Sequence, residues 1–257
     1  MPTMTSYAPG NFCWCELVTT DQKAAKDFYS KLFGWGITDS PMGPDAFYTM
    51  LDIDGKNVGA LYGMDKAQLE RGVPPHWNVY ISTASADETT KKAESLGGKT
   101  MLPPFDVMDV GRMSMIQDPT GAMFAVWEAR KHIGADLVGE LNSFCWWELN
   151  TKDTAKAKEF YTNLCGWETG GDANYTEWKS GGQSMGGMME IKPEWGPVPP
   201  NWLSYILVDN CDQSVAKVKE LGGSVMMGPQ DIENMGRFAV VADPQHAVFA
   251  LYQRNAK

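Results

Sequence analysis

The sequence predicts an α+β protein built from four βαβββ modules, two in each of two tandem domains. Two observations lead to this prediction. Residues 12–35 return as residues 144–167, with 14 of 24 positions identical at an offset of 132, and such a repeat indicates two copies of one architecture. Within each copy the spacing of apolar residues changes twice from period two to helical spacing, as expected where strands alternate with helices.

The first module shows the order of its elements most clearly. Residues 12–18 alternate at period two and predict a strand, while residues 21–32 place apolar side chains at helical spacing and predict a helix. Thr20 or Asp21 is a suitable N-cap for this helix, and Gly34 is a suitable residue to end it. Two paired strands are predicted after the helix, at 46–53 and 56–64.

The same order of strand, helix and further strands recurs along the chain. The four modules are predicted at about 10–65, 75–130, 142–192 and 200–254. They group into an N-terminal domain, residues 1–131, and a C-terminal domain, residues 140–257. Residues 132–139 join the last strand of one copy to the first strand of the next and are predicted to be the linker.

Composition argues against several classes of function. The 22 Lys and Arg residues form no cluster and are outnumbered by 32 Asp and Glu, so neither nucleic acid nor an anionic membrane surface is an expected partner. No segment approaches the ~20 apolar residues of a bilayer span, and the N-terminus lacks the pattern of a secretory signal. Five cysteines without such a signal indicate reduced thiols. We therefore expect a cytoplasmic protein.

Several short motifs of the repeat are characteristic in combination. They are Asp21, Phe28-Tyr29, Gly34-Trp35, Gly97-Gly98, Gly111-Arg112 and Asp118-Pro119-Thr120-Gly121. Together they resemble the vicinal oxygen chelate superfamily, which holds glyoxalase I, extradiol dioxygenases, fosfomycin-resistance enzymes and bleomycin-binding proteins. The resemblance extends over nearly the whole chain and is nearest to a tandem-duplicated bacterial subgroup, described variously as 27 kDa antigens, hydroxylases or kinase-inhibitor homologues. It implies two cupped mixed sheets.

The resemblance also implies a metal site, with one His, Gln or Glu ligand on each of four strands lining a cup. The corresponding positions are Trp14, about Gly59, about Asn78 and Ala125 in the first half, and Trp146, about Gly186, Leu203 and Ala250 in the second. Because none is a carboxylate or an imidazole, no cofactor is predicted, and a divalent metal is the main alternative. His76, beside two prolines at a strand entrance, is the only outside candidate for a metal ligand.

A carboxylate follows two residues after the first-strand tryptophan in each half. Because alternate side chains of a strand point to one face, these carboxylates are predicted to face into the cups. The residues predicted to share the cup faces are Phe12, Trp14 and Glu16 in one half, and Phe144, Trp146 and Glu148 in the other.

Two interpretations of Glu16 and Glu148 follow, since a buried carboxylate must be hydrogen-bonded, ion-paired or protonated. In a structural role they pair with Arg112 and Arg237, or accept hydrogen bonds from backbone or Trp N–H groups. In a functional role they act as a general base, or bind a cationic or hydroxylated ligand. The sequence leaves both open.

Abundant Trp and Met favour one function over two alternatives. Ten Trp and sixteen Met suit an adaptable cavity that binds a small apolar or aromatic molecule. The candidate ligand-binding residues are Phe12, Trp14, Asn78, Arg112, Phe144, Trp146 and Arg237. The first alternative is a lyase or hydroxylase-type enzyme with Glu16 or Glu148 as its catalytic base. The second is a protein-interaction module associated with a kinase.

Overall fold

The computed structural model describes residues 3–43 and 46–255, so the outermost residues of both predicted domains lie outside it. The first half contains β1 (Phe12–Thr19), β2 (Gly36–Gly43), β3 (Ala46–Ile53), β4 (Lys56–Gly63), β5 (His76–Ser82), β6 (Lys99–Val107), β7 (Gly111–Gln117) and β8 (Met123–Ala129). The second contains β9 (Phe144–Thr151), β10 (Glu168–Gly171), β11 (Thr176–Ser180), β12 (Gln183–Glu190), β13 (Asn201–Leu207), β14 (Ser224–Ile232), β15 (Gly236–Ala242) and β16 (Val248–Arg254). The helices are α1 (Gln22–Phe33), α2 (Lys66–Glu70), α3 (Ala86–Ser95), α4 (Thr154–Cys165) and α5 (Cys211–Glu220).

The strands form two eight-stranded mixed sheets. Their orders are β2-β3-β4-β1-β5-β8-β7-β6 and β10-β11-β12-β9-β13-β16-β15-β14. Strand β1 runs parallel to β4, and β5 runs parallel to β8, while β1 and β5 are antiparallel. Each sheet is thus built from two consecutive βαβββ modules, which confirms the predicted fold class. The short helix α2, which follows the first module, was not predicted.

Local sequence explains where the two long helices begin and end. The side chain of Asp21 accepts a hydrogen bond from the backbone N–H of Ala24, and Gly34 ends α1 with a φ of 74°. Asp153 and Gly166 bound α4 in the same way. A carboxylate oxygen satisfies a free N–H of the first turn, and glycine adopts the left-handed conformation without steric cost.

One apolar core extends through both halves. Helix α1 packs against β16 of the second sheet, with the ring centroids of Phe28 and Phe249 6.4 Å apart. Helix α4 packs against β8 of the first sheet, with Phe124 and Phe160 6.1 Å apart. One face of each sheet therefore packs in the shared core. The other face of each sheet forms the cup. No helix among the described residues is long and apolar enough to cross a membrane.

Two reciprocal hydrogen bonds join the halves within this core. The hydroxyl of Tyr29 donates to Asp243 Oδ2 at 3.1 Å, and the hydroxyl of Tyr161 donates to Asp118 Oδ2 at 2.9 Å. The other oxygen of each aspartate accepts backbone N–H groups of its own turn. Repeated Asp and Tyr residues of the motifs therefore hold the two halves together.

Candidate functional site

A β-bulge at the start of each central strand decides which side chains enter the cups. In β1 the register shifts between Phe12 and Trp14, so that Trp14 and Glu16 face the cup while Phe12 faces the core. There Phe12 stacks on Trp147 at a centroid distance of 4.7 Å. The prediction that Phe12 shares a face with Trp14 is wrong, because the bulge inserts one residue into the alternation.

The second central strand repeats this arrangement. The register shifts where Trp146 pairs with Tyr205 and Phe144 pairs with Ile206. Phe144 therefore packs in the core, 5.1 Å from the ring of Trp77. Its predicted place on the cup face of β9 is also wrong.

The residues that line each cup can now be defined. The N-terminal cup comprises Trp14, Glu16, Tyr48, Met50, Ala60, Asn78, Tyr80, Met113, Met115, Ala125 and Trp127. The C-terminal cup comprises Cys145, Trp146, Glu148, Asn150, Tyr175, Gly187, Leu203, Tyr205, Phe238, Val240, Ala250 and Tyr252. In the N-terminal cup Ala60 takes the place predicted for Gly59, because a Cβ on Gly59 would point at the Cys15 carbonyl oxygen, away from the cup.

Glu16 lies at the centre of a hydrogen-bonded network in the N-terminal cup. Its side chain is 7% exposed. Tyr80 donates to Oε1 at 2.7 Å and Tyr48 to Oε2 at 2.9 Å, while the indole N–H of Trp14 donates to the Tyr48 hydroxyl at 3.1 Å. Burial raises the pKa of Glu16, and the hydrogen bonds from Tyr80, Tyr48 and Asn78 oppose that rise.

Glu148 has a matching network in the C-terminal cup. Its side chain is 6% exposed, Tyr205 donates to Oε1 at 3.1 Å, and the Tyr175 hydroxyl and the Asn150 amide lie close enough to lower the pKa of the carboxyl group. Trp146 donates to the Tyr175 hydroxyl at 2.8 Å. Burial raises the pKa of Glu148 to about 7 despite these hydrogen bonds. This carboxyl group therefore changes protonation near neutral pH.

The two arginines predicted as partners of these glutamates lie elsewhere. Arg112 binds Asp87 at 2.7 Å and Asp106 at 2.9 Å. Arg237 makes the equivalent pairs with the acidic residues of α5 and β14. Both guanidinium groups pair with partly exposed aspartates of a helix and of the neighbouring edge strand, so the predicted Arg–Glu pairs are wrong. The glutamates depend on neutral hydroxyl and amide donors instead.

His76 and Asn78 extend the network of the N-terminal cup towards solvent. His76 Nδ1 lies 2.7 Å from the Pro74 carbonyl oxygen, and Nε2 lies 3.1 Å from Asn78 Oδ1. Asn78 sits directly across from Glu16 on the neighbouring strand. Both ring nitrogens of His76 are thus occupied by protein oxygen atoms.

The residues of the cups do not fit the metal site implied by the family. In the N-terminal cup one carboxylate stands among Trp14, Ala60 and Ala125, which offer no donor. Within residues 3–43 and 46–255, no three His, Cys, Asp or Glu side chains form a group that could hold a metal ion. A divalent ion needs several converging oxygen, nitrogen or sulfur donors. Each cup instead contains one carboxyl group surrounded by aromatic side chains.

The segment that joins the halves covers one end of the N-terminal cup. The His132 ring meets Trp14 edge to face at 4.7 Å, and the Ala135 N–H donates to the Cys13 carbonyl oxygen at 2.8 Å. Tyr7 adds a hydrogen bond from its hydroxyl to the Ala135 carbonyl oxygen. Trp14 is accordingly 4% exposed, whereas its counterpart Trp146 is only half-buried.

Sequence reasoning missed four tyrosines and one asparagine of the networks. Tyr48 and Tyr175 both follow Asp-Ala-x, and Tyr80 and Tyr205 both stand three residues after a Trp. These short repeats were a usable signal. Asn150 had none, because the residue at its position in the first half is a valine.

Comparison with known proteins agrees with this architecture. The family model “Glyoxalase/Bleomycin resistance protein/Dioxygenase superfamily” matches residues 12–126 and again residues 141–251. “Putative glyoxylase CFP32” of Mycobacterium tuberculosis is 42% identical over 98% of this chain and 97% of its own length. “Anthracycline biosynthesis protein DnrV” of Streptomyces peucetius is 36% identical over 97% of this chain and 95% of its own length.

Solved structures share the fold at much lower identity. The Mn(II)-bound glyoxalase from Novosphingobium aromaticivorans has a TM-score of 0.64 at 16% identity, covering 95% of this chain and 82% of that one. An extradiol ring-cleaving dioxygenase from B. fuscum has a TM-score of 0.68 at 15% identity, covering 100% of this chain and 75% of that one. With the double family match and these relatives, the chain belongs to the glyoxalase, bleomycin resistance protein and dioxygenase superfamily.

Proposed function

We propose that the protein binds a small aromatic molecule in its cups without a metal ion. The observation that carries this proposal is the composition of the four central strands. Where the family's ligands are expected, the chain has Trp14, Ala60 and Ala125 around a single hydrogen-bonded carboxyl group. Aromatic and small side chains offer apolar contact surface to a flat molecule, and one polar group can orient it.

The walls of the cups support the same proposal. In the N-terminal cup the partly buried Met50, Met113 and Met115 pack beside Trp127, and thioether side chains adapt to ligands of different shape. In the C-terminal cup Phe238 and Tyr252 take this place. One relative is named for the biosynthesis of anthracyclines, which are polycyclic aromatic compounds, so an aromatic ligand of this kind belongs in the first set of probes.

Binding can be measured through the indole rings that line the cups. The protein, dialysed against a chelator, is titrated with a panel of naphthalene, anthracene and anthraquinone derivatives while tryptophan fluorescence and heat are recorded. We expect saturable quenching with micromolar dissociation constants that are the same with and without the chelator. An absence of saturable binding across the panel by both methods would contradict the proposal.

A second function rests on the ionisation of Glu148. A carboxyl group whose pKa is raised to about 7 is suited to accept a proton from a substrate at neutral pH. In that case Glu16→Gln combined with Glu148→Gln abolishes turnover without lowering the melting temperature. Binding that survives in the double variant, with no turnover in either protein, would favour the binding function alone.

A further inference from the structure

The two cups differ in whether the oxygen atom of one buried side-chain amide has a polar neighbour. In the N-terminal cup the amide nearest Glu16 belongs to Asn78, directly across on the neighbouring strand, and His76 Nε2 lies 3.1 Å from its Oδ1. In the C-terminal cup the amide nearest Glu148 belongs to Asn150, two residues further along the same strand, which is 5% exposed. Among the described residues Asn150 Oδ1 has no hydrogen-bond partner. A buried acceptor left in this state costs free energy that a donor from a ligand would recover.

This difference comes from an exchange of residues between strands. The counterpart of Asn78 on β13 is Leu203, which lies directly across from Glu148. The counterpart of Asn150 on β1 is Val18. Each cup therefore has one amide beside its glutamate, but within residues 3–43 and 46–255 the amide oxygen of the C-terminal cup has no hydrogen-bond partner, whereas that of the N-terminal cup lies 3.1 Å from His76 Nε2. Asn150 lies on the cup face because it alternates with Trp146 and Glu148 along the strand.

Access to the two cups differs in the same direction. The joining segment packs on Trp14 and Cys13, and both are buried. Their counterparts Trp146 and Cys145 are only half-buried. An aromatic molecule can therefore approach the indole ring of the C-terminal cup more readily than that of the N-terminal cup.

The polar groups of the C-terminal cup also define the ligand. Glu148 and Asn150 Oδ1 are neighbouring hydrogen-bond acceptors. On β11, Glu177 and Lys179 form an ion pair at 3.2 Å, so each of these charges already has a partner. We infer that the C-terminal cup is the ligand site, and that its ligand is an aromatic molecule whose hydroxyl or ammonium group donates to Asn150 Oδ1 and Glu148. This inference rests on the proposed function and adds the site and the donor group to it.

Three naphthalene probes test the donor requirement by calorimetry on the full chain. 2-Naphthol carries a hydroxyl donor, 2-methoxynaphthalene has the same ring with the donor removed, and 2-naphthylmethylamine carries an ammonium group. We expect 2-naphthol to bind about ten-fold or more tightly than the methyl ether, the ratio typical of one hydrogen bond to a buried acceptor. Tighter binding of the amine than of 2-naphthol would identify an ammonium ligand, and the reverse order a hydroxylated one. Either order of affinity supports the inference that the ligand donates a hydrogen bond.

Two variants that exchange the residues of the halves test the position of the site. Asn150→Val is expected to reduce the preference for 2-naphthol over its methyl ether to less than about three-fold. The corresponding exchange in the other cup, Asn78→Leu, should leave the preference unchanged if the site lies in the C-terminal cup, and Asn163→Val on the exposed surface of α4 is the control outside both cups. If Asn150→Val does not fold, as judged by circular dichroism, Asn150→Ser shortens the side chain and removes the amide with a smaller change in polarity.

The possible failures are distinct. Equal affinities for 2-naphthol and its methyl ether in the unmodified protein would overturn the donor requirement and leave the proposed function standing. Loss of the preference in Asn78→Leu but not in Asn150→Val would place the site in the other cup and overturn the inference. If none of the three probes binds, the proposed function fails, and the inference fails with it.

Discussion

Replacing Glu148 by glutamine is expected to change the pH dependence of stability. Burial raises the pKa of this carboxyl group from an ordinary 4.5 to about 7. The folded protein therefore holds the proton more tightly than the unfolded chain, and wild-type stability falls as the pH rises from about 4.5 to about 7. The difference is about 2.5 pKa units, which corresponds to roughly 3 kcal/mol of unfolding free energy. Glutamine resembles the protonated acid and does not ionise, so the Glu148→Gln protein does not lose this free energy of unfolding as the pH rises.

Urea unfolding at pH 5 and at pH 8 measures the effect. The free energy of unfolding of Glu148→Gln, relative to the wild type, should be larger at pH 8 than at pH 5 by about 2.5 kcal/mol, because part of the wild-type loss has already occurred at pH 5. Glu16 is present in both proteins, so its own contribution cancels. Glu190→Gln on the exposed end of β12 is the matched control and should show no such change. A relative stability of Glu148→Gln that is equal at the two pH values, or lower at pH 8, would refute the reasoning.

Three further substitutions have defined outcomes. Tyr29→Phe removes the hydroxyl that donates to Asp243 and should lower the free energy of unfolding in urea by about 1–3 kcal/mol, and an unchanged value would contradict the proposed contact between the halves. Gly187→Ala places a Cβ on the Tyr175 hydroxyl and should weaken 2-naphthol binding in calorimetry, whereas unchanged affinity would show that Tyr175 does not shape the site. Arg112→Met should leave both 2-naphthol affinity and the pH profile of stability unchanged, because its guanidinium pairs outside the cup, and a shift in either would restore it to the site.

The sequence was sufficient to predict the modules, but it was insufficient to predict which face of a strand each side chain lies on. Apolar spacing and the repeat predicted the four long helices and most strands of the modules because those patterns are local. Strands β2 and β10 were not predicted, because they are largely exposed and carry no apolar alternation. The face of Phe12 was wrong because a bulge reverses alternation, and no residue in 12–18 marks it. The pairing of consecutive modules into one sheet depends on long-range contacts and was not readable from residue spacing.

The polar partners of the glutamates show the same limit. Arg112 and Arg237 were chosen by charge, yet they lie near the starts of β7 and β15, where the fold places them beside other acids. The tyrosines were repeated in sequence and could have been found by comparing the halves. Asn150 was hidden by the expectation that a site appears in both copies, since its role in the first half passed to Asn78 on another strand.

The reciprocal bonds between the halves have a consequence for the origin of the chain. Each half carries both a tyrosine donor and an aspartate acceptor, so the contact surface is self-complementary in the way of a two-fold symmetric dimer. A single half expressed alone is expected to associate with a copy of itself and to form two identical cups. Fusion into one polypeptide removed the requirement that the cups be identical, so a mutation in one cup no longer alters both. The different positions of Asn78 and Asn150 are an example of such independent change. One cup can become specific for a ligand while the other keeps the residues that hold the two halves together.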